Sequence, residues 1–241
     1  MSKLNVLQVA VCVLAVVLLV TEVVIISYLA ANYKRSTSLN PGNVFEVVYY
    51  INLSHRKDRR QHIRKQLNKL NWLEHAHRIE GVRTPNMGQL GCLLSHILTL
   101  KTFLDSSYKT ALILEDDCTF RTDPRPQLLA FHLDHPSTDD WDVLQLAGNT
   151  ARKTAYKPYA IQVVQSMTTS AYIVTRKAAL ELLEAWENTV ESVVKTLKPE
   201  CDVSWFPLQQ RMKWFCLDPC PGHQLPGFSD IQKRVMDYKG V

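Results

Sequence analysis

The sequence predicts an α/β domain built on a parallel sheet, and three observations carry that expectation. Ala111-Leu112-Ile113-Leu114 is an apolar run without alternation that passes straight into Glu115-Asp116-Asp117, the pattern of a strand buried on both faces. Val44 to Leu53 is a second strand, rich in β-branched and aromatic residues, and it leads through a basic segment into a helical pattern. Between them, Gly88 to Leu98 opens a helix with Leu93, Ile97 and Leu100 on one side, which with the acidic strand makes a right-handed crossover unit.

The acidic strand organises the rest. Ligands of open α/β sheets sit beyond the carboxyl ends of the strands, so Glu115, Asp116 and Asp117 are expected at the mouth of a cleft. Three adjacent carboxylates repel unless a cation or a set of donors sits among them, and hard oxygen ligands suit Mg²⁺ or Mn²⁺, which also bind phosphate oxygens. Read alone, the same triplet is more often an acidic turn in water. The first strand ends in Ser54-His55-Arg56-Lys57-Asp58-Arg59-Arg60, followed by Ile63, Leu67 and Leu70 at helical spacing. Basic side chains at a strand-to-helix passage are placed to hold a phosphate, with the helix amino terminus adding its partial positive charge.

Beyond the acids, Trp141 to Gly148 reads as a strand ending at the glycine, Tyr156 to Tyr159 as a polar loop, and Gln162–Val164 and Ser170–Val174 as two strands joined through Ser166–Thr169. Arg176 to Lys198 is an amphipathic helix that Pro199 stops. Trp214 to Leu217 is a short aromatic strand.

The chain of 241 residues, 46% hydrophobic and 21% charged, is composed like a globular protein. Its net charge of +5 comes with a basic cluster near Arg56 to Lys69, which argues for an anionic ligand and does not by itself imply nucleic acid. From Val9 to Ala31 the sequence is apolar except for Thr21, Glu22 and Ser27, long enough for one N-terminal transmembrane helix. A signal anchor is preferred to a cleaved leader because the apolar run resumes after Glu22. The expected layout is a short tail at 1–8, the anchor at 9–31, a polar stem at 32–43, a folded domain at 44–232 and a tail at 233–241. Apart from Cys12 there are five cysteines and no CxxC pair, which argues against zinc. Disulfides among Cys201, Cys216 and Cys220 remain open. No GxxxxGK[ST] phosphate loop occurs, which counts against a phosphoryl-transfer enzyme.

In order along the chain, Tyr50-Ile51-Asn52-Leu53 with Arg56, Asp58 and Arg59, Gly91-Cys92 with Ser95-His96, Leu112 to Asp117, Thr169-Ser170-Ala171-Tyr172, Asp202, and His223-Gln224 with Ser229-Asp230-Ile231 together resemble glycosyltransferase family 25. That group includes bacterial lipooligosaccharide glycosyltransferases and procollagen galactosyltransferases. The chain departs from it in having Gln89-Leu90 where the family often has an acid before Gly-Cys. The resemblance implies a GT-A type, Rossmann-like mixed sheet with flanking helices. It also implies a UDP-sugar donor carrying galactose or glucose, a glycan or hydroxylysine-type protein acceptor, inversion at the anomeric carbon, and Mn²⁺ or Mg²⁺.

By the same resemblance Asn52, Leu53 and Arg56 hold the base and ribose, Arg59 holds a phosphate, and Ser95, His96 and Asp116 join the nucleotide-sugar site. Glu115, Asp117 and His223 are the expected metal ligands, and Asp202 the general base, with Asp230 in reserve. Read singly, His96 is more often a hydrogen-bonded structural residue, His223 is equally a loop histidine, and Asp202 is at least as readily the N-cap of a short helix beginning at Val203. The resemblance further implies a single-pass type II membrane protein with its domain on the lumenal face of the Golgi or endoplasmic reticulum. The competing reading is a catalytically silent relative that binds or adheres. Asn52-Leu53-Ser54 is formally an N-glycosylation acceptor, expected to be unused at the end of a buried strand.

Overall fold

The computed structural model of the protein describes residues 44–231 and 233–236. The expected anchor at 9–31 and stem at 32–43 lie outside these residues. Among the described residues no helix is long and apolar enough to cross a membrane.

Strand β1 (Val47–Asn52) is buried along its whole length and passes through Arg56 into helix α1 (Lys57–Lys69), of which only Ile63 and Leu67 are buried. That narrow stripe lies on the sheet while most of the helix's lysines and arginines stay in water; Arg59 is the one drawn inward, onto Asp116 and Asp117. After a short 3-10 turn comes β2 (Ala76–Glu80), an element the sequence pattern did not reveal. Its Ala-His-Arg-Ile-Glu sequence buries only Ile79, because the strand is the sheet edge and pairs with β1 alone. Helix α2 (Gly88–Leu104), strand β3 (Thr110–Glu115), the short β4 (Cys118–Phe120) and helix α3 (Arg125–Asp134) follow.

Strands β5 (Val143–Lys157) and β6 (Ala160–Thr175) form one long antiparallel hairpin. Strand structure therefore continues through Gly148 and through Ser166–Thr169, both expected to be breaks, and only Pro158-Tyr159 make the turn. The outer half of β5 is exposed and the register of the pair shifts repeatedly, while Ala160, Ile161 and Val163 of β6 stay buried. A strand segment with no buried residue has no hydrophobic period, so the outer half of β5 left no strand signal.

Helix α4 (Arg176–Thr196) starts where the Thr175 hydroxyl accepts from the Ala178 amide, and ends at Leu197 in the left-handed conformation, φ 57°. Beyond it lie α5 (Cys201–Ser204), α6 (Phe206–Gln209), β7 (Trp214–Leu217), β8 (Gly222–Gln224), β9 (Gly227–Ser229) and β10 (Arg234–Met236).

The main sheet runs β2-β1-β3-β6-β5-β7. It is mixed, with β3 as its seam: parallel to β1 and antiparallel to β6. Ala111 and Ile113 of β3 pack with Leu93, Leu100 and Trp186 of α2 and α4, while Leu112 and Leu114 pack with Ile63, Leu67 and Phe131 of α1 and α3 on the other side. The unalternating run is thus the middle of three layers, and helices cover both faces of the strand that delivers the acids. The five described cysteines are free. Cys216 and Cys220 have their sulfurs 4.0 Å apart, whereas Cys201 lies beside Cys92.

Candidate active site

The acids occupy the turn between β3 and β4, and the backbone fixes that turn from two sides. Strand β8 pairs with β4, and the Leu225 amide donates to the Asp117 carbonyl at 2.7 Å. Asn52, ending β1, donates from Nδ2 to Asp116 Oδ2 at 2.7 Å and to the Arg56 carbonyl at 3.1 Å. Arg78 of β2 holds the Asn52 Oδ1 at 3.1 Å. Arg59, in the first turn of α1, reaches Asp116 Oδ1 at 3.3 Å and Asp117 Oδ2 at 3.0 Å, and donates to the Phe228 carbonyl at 2.8 Å. Arg56 pairs with Asp230 at 2.6 Å and with Asp58 at 2.8 Å.

These groups line a hollow of about 270 Å³ that contains Asn52, Leu53, Arg56, Arg59, Ser95, His96, Glu115, Asp116 and Asp117. Nine of the eleven sequence-predicted site residues therefore meet in one place. The wall that the sequence pattern missed is the loop Gly81–Asn86 after β2. Its signal was present in Gly81 and Pro85-Asn86, but without the edge strand before it nothing marked the loop as a strand exit. Ser95 ties that loop down, its Oγ accepting from the Val82 amide at 2.8 Å and donating to the Gly91 carbonyl at 2.6 Å. Glycine is needed where α2 begins: a Cβ at Gly88 would stand 2.6 Å from the Ile231 Cα, and one at Gly91 would stand 2.6 Å from the Val82 oxygen.

His96 sits beneath the acids, 1% exposed. Its Nδ1 faces the Tyr172 hydroxyl at 3.1 Å and its Nε2 faces Glu115 Oε1 at 3.2 Å; Thr169 donates to the same Glu115 oxygen at 2.5 Å. Burial works to lower the His96 pKa, but the Cys92 and Glu115 contacts outweigh it and raise it to about 9. Burial works to raise the Glu115 pKa, and His96 reverses this so that it falls below the ordinary carboxylate value. The other two acids move upward: Asp116 is raised, chiefly by burial, and so is Asp117. Burial, then the charge of Glu115, push it up to about 7 against the pull of Arg59. Its Oδ1 is buried without a hydrogen-bond partner. That buried, unpartnered carboxylate oxygen matches the donor a hard divalent cation takes, although among the described residues the ligand atoms of Glu115, Asp116 and Asp117 do not converge as a trio.

A second hollow, about 380 Å³, adjoins the first, and the two share Cys92, Glu115, Gln224, Ser229 and Ile231. Asp202 lines it and accepts from the Thr168 amide at 2.9 Å. The N-cap of α5 is Glu200, not Asp202, so the capping alternative for Asp202 is not what the fold uses. Burial raises the Asp202 pKa, in the direction that favours a proton acceptor.

His223 is the correction. It stands opposite Thr119 across the β4–β8 pair, while its neighbour Gln224 lines both hollows. Successive side chains of a strand point to opposite faces, so His223 looks away from the acids, toward Arg121 and His62, which with burial lower its pKa. Among the described residues, Glu115, Asp117 and His223 do not come together as a metal-binding trio.

Residues 82–197 match the family model Glycosyltransferase family 25 (LPS biosynthesis protein). This stretch is a glycosyltransferase family 25 domain. It contains Ser95, His96 and the three acids; β1, Arg56, Arg59 and Asp202 lie outside the matched residues. The family 25 domain supports a glycosyltransferase function, with a sugar donor and an acceptor as its partners. Among solved structures, a glycosyltransferase involved in the glycosylation of the major capsid of PBCV-1 is similar, with TM-score 0.50, 11% identity, and coverage of 78% of this chain and 95% of that one. That likeness shows the shared fold, a mixed α/β sheet flanked by helices. A second similar structure is A197 from STIV, with TM-score 0.46, 14% identity, and coverage of 79% and 93%. No curated protein sequence matches the chain.

Proposed function

We propose that this family 25 domain transfers a hexose, galactose or glucose, from a UDP-sugar to a hydroxyl acceptor on a glycan or protein, with inversion and with Mn²⁺ or Mg²⁺. The observation that carries the reading is the junction of guanidinium groups and acids in one hollow, with Asp117 Oδ1 buried and unpartnered. Asn52, Leu53 and Arg56 take the base and ribose; Arg59, already bridging Asp116 and Asp117, turns toward the diphosphate. Asp117, supported by Glu115, would hold the cation, which when bound offsets the negative charge that builds on the leaving diphosphate. His223 has no part in this.

Asp202 serves as general base on the acceptor side. Inversion needs the acceptor hydroxyl to attack the anomeric carbon opposite the bond to the departing diphosphate, and two adjoining hollows, one for donor and one for acceptor, suit that arrangement. Asp202 draws the acceptor proton as the oxygen attacks. Ser95 and His96 position rather than react, the first by anchoring the Gly81–Asn86 loop and the second by orienting Glu115.

Thermal shift of the purified protein with UDP, with and without Mn²⁺, tests this directly. Stabilisation that needs both is expected, because ligand that binds only the folded state raises stability by mass action. Equal melting curves in all four conditions would remove the donor reading. The proposal includes anchoring by residues 9–31 with the domain in the Golgi or endoplasmic reticulum lumen; protease protection of residues 44–236 in sealed microsomes checks it, and digestion without detergent would refute it.

A further inference from the structure

We propose that Cys92, His96 and Cys201 form a binding site for a soft divalent cation, Zn²⁺, separate from the acidic turn. One ligand atom from each lies within 4.8 Å of the other two. Cys92 and His96 are four residues apart on α2, so their side chains share a face of the helix. Cys201, at the start of α5, is brought to them by the packing of α5 and α4 against α2. Two sulfurs and an imidazole select zinc over the magnesium and manganese that oxygen clusters prefer.

The surroundings have what a metal site needs beyond its ligands. His96 has a partner on each ring nitrogen, the Tyr172 hydroxyl and Glu115; when one nitrogen takes the metal, the other keeps its partner and fixes the ring. Cys92 borders both hollows and Cys201 the second one, so the ion has an entry path. Three protein ligands leave a fourth position for water or for a group on a bound molecule. On binding, each thiol gives its proton to solvent and the thiolate sulfur donates to the metal. The spacing rule that argued against zinc looks for CxxC pairs; here one turn of helix and a tertiary contact do that work.

The site does not depend on the donor reading, and a cobalt titration separates them. Full-length protein, reduced and stripped with chelator, should develop a thiolate-to-cobalt charge-transfer band with tetrahedral visible absorption on adding Co²⁺, saturating at one equivalent. Zn²⁺ should displace it and Mn²⁺ should not. Cys92→Ser and Cys201→Ser should each abolish the band and weaken Zn²⁺ by more than about a hundredfold, with the fold checked by circular dichroism. Asp117→Asn should leave the spectrum unchanged. A reduced, folded wild type that yields no band overturns the proposal, as does a band that survives in both serine variants. If the serine variants unfold, the wild-type spectrum decides alone, because thiolate ligation to cobalt is read from the band itself.

Discussion

The two hollows on either side of Glu115 are built by different rules. The first gathers the exits of the parallel strands β1, β2 and β3 with the opening turns of α1 and α2. Parallel strands point their ends the same way, so residues that follow a strand in sequence converge in space. The second hollow is made in mid-strand. Strand β6 runs antiparallel to β3 with Leu114 opposite Ala171, so the β3 exit meets residues 167–169 in the middle of β6. There the chain bulges: Thr168 takes φ 72°, its amide is held by Asp202, and Thr169 turns its hydroxyl onto Glu115. A strained residue in the middle of a strand is a functional feature when neighbours hold it in place. The first hollow is rich in ion pairs, and the second sets the carboxylates of Glu115, Glu200 and Asp202 beside the thiols of Cys92 and Cys201.

Breaking the first hollow at its centre should have the largest effect. Asp117→Asn is expected to lower transfer by about a thousandfold or more and to abolish metal-dependent stabilisation by UDP. The ligand-free variant should nonetheless be the more stable protein at pH 8. With the Asp117 pKa raised from 3.8 to about 7, its contribution to stability is fully present below the unfolded value and is lost as pH rises through 7. The neutral amide avoids that loss, by about 1 kcal/mol or more in a denaturant melt. A normal transfer rate in this variant would remove the metal role.

Asp202→Asn addresses the other side. It should lower kcat by about 10²–10⁴ and leave the UDP and Mn²⁺ thermal shift intact. A loss of UDP binding instead would mean that the hollows do not divide donor from acceptor. Arg56→Ala should raise the KM for the donor by about tenfold with little change in kcat, since it removes a binding contact of the kind made equally in ground and transition states.

Smaller effects sharpen the boundary between the hollows. The His96 pKa is raised to about 9, so its contribution to stability is fully present below about 6.5 and is lost as pH rises through 9. The Glu115 pKa is lowered, so its contribution is present above 4.5 and is lost as pH falls. Glu115→Gln should flatten the melting temperature between pH 7 and 10, and an unchanged profile would separate the two residues. Thr168→Gly relieves the positive φ and should change stability by only about 1 kcal/mol or less, while slowing transfer if the bulge must aim Thr169.

Most of the first hollow was legible because its residues lie where strands end. Asn52, Arg56, Arg59 and the three acids each follow a strand with a clear apolar pattern. His223 failed for a reason equally physical: a three-residue strand puts adjacent residues on opposite faces, and no pattern told which of His223 and Gln224 faced inward. The edge strand β2 has one buried residue and so left no signature. The outer half of β5, exposed throughout, left no strand pattern.

Sequence alone was enough for the three-layer α/β core and for the delivery of Glu115, Asp116 and Asp117 to a strand exit, because burial on both faces is written directly as an unbroken apolar run. Only the tertiary structure decided the reversal of direction at β3, the placing of Asp202 against Thr168, and the meeting of Cys92, His96 and Cys201. Those contacts join residues far apart along the chain, and their geometry is set by register, bulges and packing, none of which leaves a local period to read.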